Sequence, residues 1–336
     1  VRAVLLACAL MTPLPATAQN RGPILTDVVE GHILPGYARL SKATGALSSA
    51  AQGDCAATSP ELRAAYHAAF DRWITVSHLR FGPSETDNRA FALAFWPDTK
   101  GFTPKALSGL IAVRDSAVET PEGFAETSVA GRGLFALEMM LYDPAFMETE
   151  DEPYQCALVQ AIAVDINHNA NAIDADWVLY ASQITKPGGQ SAFRSDSEAV
   201  QELYKALVTG LEFTANTRLG RLLGALDRPR PKRAEARRSE RSLRHVELSL
   251  IALRDLAARL SADHPEIDTD LAKAFEKAID RAQRLDDPGL AGIATPQGRL
   301  RVEALQQSIN DIRSVATSDL GPTLGINAGF NALDGD

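Results

Sequence analysis

One carboxylate, Glu138, stands in the otherwise apolar run Leu134-Phe135-Ala136-Leu137-Glu138-Met139-Met140-Leu141. A helix apolar on every side is buried all round. A carboxylate buried bare in it costs several kcal/mol, so Glu138 must meet a cation, hydrogen-bond donors or a proton. The alternative is a glutamate on a helix edge that reaches water past its neighbours. Arg80 and Arg89 could each supply the cation, since a guanidinium fork suits a carboxylate in a crowded site. His32 lies on an apolar face, where an isolated histidine is ordinarily a hydrogen-bonded core residue. Asp165 and His168 are spaced i, i+3, which can hold a metal, but Asn167, Asn169 and Asn171 around them indicate a solvated face. His67 and His78 are eleven residues apart, about three helical turns, and read as separate surface or edge histidines.

The elements that must place these groups are helices. The chain has 336 residues, 45% of them hydrophobic and only 6% aromatic, with long stretches free of turn signals. A net charge of −9 argues against a nucleic-acid binder, which needs a basic phosphate-facing surface. Residues 1–18 read as an export signal: Arg2, a short apolar run from Ala3 to Met11, and the small-residue site Ala16-Thr17-Ala18. No later segment is long enough for a transmembrane span. The expected location is therefore the periplasm, with a lipoprotein anchored through Cys8 of Leu5-Leu6-Ala7-Cys8 as the weaker alternative. Cys55 and Cys156 then form an even pair in an oxidising compartment. A disulfide between them is the economical reading, and two separate buried thiols are the other.

Helical periodicity predicts a first helix over 24–51, kinked or restarted at Pro35, and a second opening on the N-cap Ser59-Pro60. Between Gly82 and Gly101 an irregular aromatic stretch should cover a core edge. Further helices are expected over 104–116, 123–142, 151–177, 197–223, 239–261, 268–285 and 295–318. Lys186-Pro187-Gly188-Gly189 marks the clearest loop and the domain boundary, giving a first helical bundle over 19–186 and a second over 194–336. Leu271 to Arg281 repeats the apolar pattern of Leu62 to Arg72, a match that alanine-rich helices also produce by chance. Arg218 to Arg244 carries ten basic residues against three acidic ones. Such a run is by default a solvated linker, or else a basic rim for an anion or a partner.

Gly133-Leu134-Phe135-Ala136-Leu137-Glu138 resembles the GxHxxE motif of the imelysin-like family, the insulin-cleaving membrane protease and iron-uptake group, with Phe135 where the histidine stands. His32-Ile33-Leu34-Pro35-Gly36-Tyr37, Arg80-Phe81-Gly82-Pro83, Phe95-Trp96-Pro97-Asp98 and Leu324 to Asn331 fit the same family and extend the resemblance over nearly the whole mature chain. It implies an all-α fold of two related up-and-down bundles packed together. It also implies that His32 points toward Glu138 from the opposite helix, making His32 and Glu138 the candidate metal ligands of a pocket shared with Phe135 and with Arg80 or Arg89.

Three classes of function follow. A metallopeptidase needs about three protein ligands on zinc and an open position, but Phe135 removes one and no H-E-x-x-H is present. A G-x-S-x-G turn is also missing, so no catalytic residue is assigned. A binding protein needs less: an exported bundle with one polar pocket could take iron or another divalent metal, a metal chelate, or an envelope protein. This is the reading the sequence favours. The third class is an interaction protein of the envelope, in which the Glu138 cluster only sets helix register.

Overall fold

The computed structural model describes residues 21–147 and 152–326. The stretch read as an export signal, Cys8 included, lies outside them, as do residues 327–336. Among the described residues there is no strand, only an isolated antiparallel bridge between Ala225 and Arg228. The all-α expectation holds.

Leu34–Gly53 packs against both Pro60–Val76 and Glu152–Thr185, and Gly133–Tyr142 packs on the latter two. Helices Ser242–Leu260, Pro265–Gln283 and Pro296–Val315 pack in turn, with Asp196–Glu212 against the first and last of them. The two sets meet where Pro60–Val76 crosses Ser242–Leu260. Ser59 caps Pro60–Val76 by accepting from the Leu62 N–H, with Pro60 in the first turn. The first helix restarts where Pro35 predicts. Its break is a turn of π-helix, Val29–Ile33, between Gly22–Val28 and Leu34–Gly53. Proline has no N–H to donate, and the wider turn absorbs the interruption. A second π-turn, Phe213–Leu219, follows Asp196–Glu212.

The predicted helix over 123–142 is in fact three pieces: Pro121–Ala125, a 3-10 turn Val129–Gly131, and Gly133–Tyr142. Gly133 is the reason for the second break. Its φ is +73°, and a Cβ there would lie 2.2 Å from the Ala92 carbonyl oxygen and 2.6 Å from that of Leu93. Only glycine combines that left-handed backbone with so close an approach. The apolar helix thus starts hard against the Arg89–Leu93 helix, and everything from Leu134 to Leu141 is buried.

Asp165 is not on a solvated face. It is 5% exposed and Asn169 7%, and Arg132 grips both Asp165 carboxylate oxygens, at 3.0 and 2.6 Å. His168 points to solvent, so the i, i+3 pair is divided between two faces. Gly321–Thr323 continues the chain as a last helical turn. Cys55 and Cys156 form the disulfide, linking positions 101 residues apart.

Candidate functional site

A cavity of about 220 Å³ opens between the two sets of helices. Trp73 and Phe81 line it from the end of Pro60–Val76 and beyond, Trp96 from the irregular stretch, Phe135 from the motif helix and Phe213 from the second π-turn. Trp96 stacks on Phe135 at 6.0 Å between ring centroids, and Phe213 meets Trp96 edge-on at the same separation. Around this aromatic wall stand Arg80, Lys205 and Arg218, with Glu202 and Glu235. His78 also lines the cavity.

Arg218 and Glu235 form the most deeply buried ion pair in contact with it. Each side chain is 5% exposed, and Arg218 Nε lies 2.7 Å from Glu235 Oε2. The guanidinium also donates to Thr214 Oγ1 and Ser77 Oγ, both at 3.3 Å, and lies over the Phe213 ring. Burial pushes the Glu235 carboxyl up, but Arg218 and His245 together outweigh it and hold it at about 2.

His78, expected at a surface or edge, is buried. His78 Nε2 is 2.9 Å from His32 Nε2, and His32 Nδ1 is 2.7 Å from Asp255 Oδ2. Arg259 holds both oxygens of Asp255, at 3.1 and 3.3 Å, and is itself tied to Asp27 Oδ1 and the Gly31 carbonyl oxygen. Gly31 is required for this contact, because a Cβ there would lie 2.1 Å from Arg259 Nη1. Burial, and then the neighbouring His32, keep the His78 pKa well below its ordinary value, so the ring is neutral.

Glu138 is buried, 2% exposed, but its partner is neither arginine proposed from the sequence. Arg80 pairs with Glu85, and Arg89 with Asp176. Instead Glu138 Oε1 accepts from the Ser239 N–H at 2.9 Å and the Ser239 hydroxyl at 2.8 Å. Ser239 belongs to the basic stretch taken for a solvated linker. That stretch is a strap across the bundle: Arg238 binds Asp143, Arg241 and Arg244 bind Asp71, and Glu235 binds Arg218. His32 is likewise directed to His78 and Asp255 rather than to Glu138, so the ligand pair implied by the family motif does not converge. Among the described residues no three His, Cys, Asp or Glu side chains group to hold a metal. Arg80 and Phe135 do share the cavity with His78.

Burial raises the Glu138 pKa, opposed by the two Ser239 donors. A carboxyl whose folded pKa is raised stabilises most below its ordinary value, and that contribution is lost as pH rises through the folded pKa. Glu138→Gln should therefore flatten the stability profile above pH 4.5, the ordinary value. Glu138→Ala should cost about 2 kcal/mol, since it strands the Ser239 donors without stranding a cation. Urea melts across pH 4 to 8 read both effects, and an unchanged Glu138→Ala midpoint would contradict them.

Among the described residues, helices joined over an aromatic and partly cationic cavity define a helical-bundle protein. The chain belongs to the imelysin family, whose model matches residues 33–316. It is 24% identical to iron-regulated protein A of Synechococcus elongatus, over 91% of this chain and 89% of that protein. Its fold is similar to an imelysin-like protein from Psychrobacter arcticum 273-4, with TM-score 0.76, 21% identity, and coverage of 92% of this chain and 97% of that one. It also resembles a putative iron-regulated protein A precursor from Parabacteroides distasonis, with TM-score 0.69, 15% identity, and coverage of 91% and 98%. No helix among the described residues is long and apolar enough to cross a membrane.

Proposed function

We propose that this chain is a non-enzymatic binding protein, exported to the periplasm, that takes up a metal chelate as part of iron handling. The cavity carries the reading. Its wall of Trp73, Phe81, Trp96, Phe135 and Phe213 suits a flat organic ligand, and Lys205 and Arg80 at its edge suit a net negative one. A chelate brings its own metal ligands, which fits a cavity lined by neither His32 nor Glu138. Iron regulation is in the names of two relatives. A disulfide supports an oxidising compartment.

Tryptophan fluorescence tests it, because Trp73 and Trp96 both line the cavity. Titration with ferric citrate and with a ferric catecholate should give saturable quenching. Lys205→Glu should weaken it about tenfold, the equivalent of roughly 1.4 kcal/mol. Cleavage of peptide substrates by the purified chain, with no quenching by either chelate, would overturn the reading.

A further inference from the structure

We propose that His32 and His78 form a two-imidazole site for a single transition-metal ion at the inner wall of the cavity, with Asp255 fixing the His32 ring. The proposal goes beyond the chelate reading and needs neither Glu138 nor Phe135.

Four observations carry it. The two Nε2 atoms face each other at 2.9 Å, with ring centroids 5.1 Å apart and ring planes inclined at 53°. Nitrogens bound about 2.0–2.1 Å from one ion lie about 2.9 Å apart in cis positions of a square or octahedral site, and about 3.3 Å apart in a tetrahedral one. The backbone positions therefore suit either geometry, after a small swing that turns the two lone pairs from facing each other to converging. Second, His32 Nδ1 meets a carboxylate at 2.7 Å. An imidazole donating its other N–H to a carboxylate is the usual outer arrangement of a metal-bound histidine, since it fixes the tautomer and strengthens the donor nitrogen.

Third, that carboxylate is itself anchored. Arg259 grips both Asp255 oxygens and reaches back to the Gly31 carbonyl oxygen, next to His32 in the chain. Rigid support of this kind around one ring is what a binding site requires and a packing contact does not. Fourth, His78 lines the cavity, which gives an ion a way in. On binding, the proton now shared between the Nε2 atoms moves to His78 Nδ1 by exchange with solvent, and both rings coordinate as neutral imidazoles. His32 keeps its Nδ1 proton on Asp255. The remaining coordination positions, which no third His, Cys, Asp or Glu among the described residues supplies, are left for water or for donor atoms of a ligand in the cavity.

The test is pulsed electron paramagnetic resonance of the full chain loaded with Cu(II) from an iminodiacetate buffer, which leaves the ion two positions for imidazole. Wild type should bind one Cu(II) per chain with the modulation pattern of two coordinated imidazoles. His78→Gln, whose side chain can still hydrogen-bond to His32, should show one imidazole and at least tenfold weaker binding. Asp255→Asn should keep two imidazoles and weaken binding about tenfold to a hundredfold. His67→Ala should leave the spectrum unchanged. A wild-type spectrum with fewer than two imidazoles, or two imidazoles persisting in His78→Gln, overturns the proposal. The wild-type count decides even where a variant fails to fold. Quenching by ferric chelates with fewer than two imidazoles would overturn this site and leave the chelate reading standing; the reverse result would keep the site and remove that reading.

Discussion

Arg218→Ala is expected to destabilise the protein by about 3 to 5 kcal/mol at pH 7, the range for removing one member of a buried ion pair. The cost comes from what stays behind. Glu235 keeps its burial but loses its 2.7 Å partner, and His245 is its only other close basic neighbour among the described residues, at 3.2 Å. Thr214 and Ser77 lose a donor as well. In the wild type the Glu235 pKa is depressed, to about 2 against an ordinary 4.5. Its contribution is therefore full above pH 4.5 and lost as pH falls through 2. Without Arg218, burial dominates and the carboxyl takes up a proton more readily. The variant should then lie closer to wild type at pH 4 than at pH 7. Adding Glu235→Gln to Arg218→Ala should recover much of the loss, because no charge is then left uncompensated. Urea melts at the two pH values measure all three outcomes, and equal losses at pH 4 and pH 7 would mean the pair is not a buried ion pair.

Reduction of the Cys55–Cys156 disulfide, or Cys55→Ser with Cys156→Ser, should cost about 4 to 5 kcal/mol in the chain-entropy model, because the closed loop is about a hundred residues long. The bridge joins the segment after Leu34–Gly53 to the start of Glu152–Thr185, two helices that already pack along their length. The native contacts can thus survive without the bridge, and the effect should fall on the unfolded chain. The double variant should keep the wild-type helical circular dichroism while its urea midpoint drops. Loss of helical signal in buffer would instead mean that the bridge holds the native packing together. A midpoint within error of wild type would mean that the unfolded chain is compact without it.

What could be read in the sequence was what lies within one helix. The burial of Glu138 was legible because seven apolar neighbours leave a helix no wet face. The kink at Pro35 and the cap at Ser59 are likewise local. The partners were not legible. Ser239 lies 101 residues from Glu138, inside a stretch whose charge is typical of a solvated linker. Nothing in that stretch announces that Asp71, Asp143 and Glu138 would draw it across the bundle. His78 falls just after Pro60–Val76 ends, where helical periodicity no longer says which way a side chain points. Asp255 is on a helix that crosses from the other set, 223 residues from His32. Asp165 misled because its asparagine neighbours are polar whichever way they face, while its own partner, Arg132, sits 33 residues earlier.

His32 and Arg218 share one circumstance: each lies in a turn of π-helix. A π-turn is an α-helix carrying one surplus residue, and each α-helical residue advances the chain by about 100° around the axis. Deleting one residue from Val29–Ile33 or from Phe213–Leu219 would let the helix run on regularly. The gain in local hydrogen bonding would come with a rotation of about 100° between the flanking segments. Either the imidazole would turn from Asp255 and His78, or the guanidinium from Glu235, while the helix axis kept its course. Shortened helices of this kind would keep the bundle's outline yet lose the geometry at its centre. The surplus residues therefore act as phase shifters, setting the angular position of these two side chains apart from the packing of the helices that carry them.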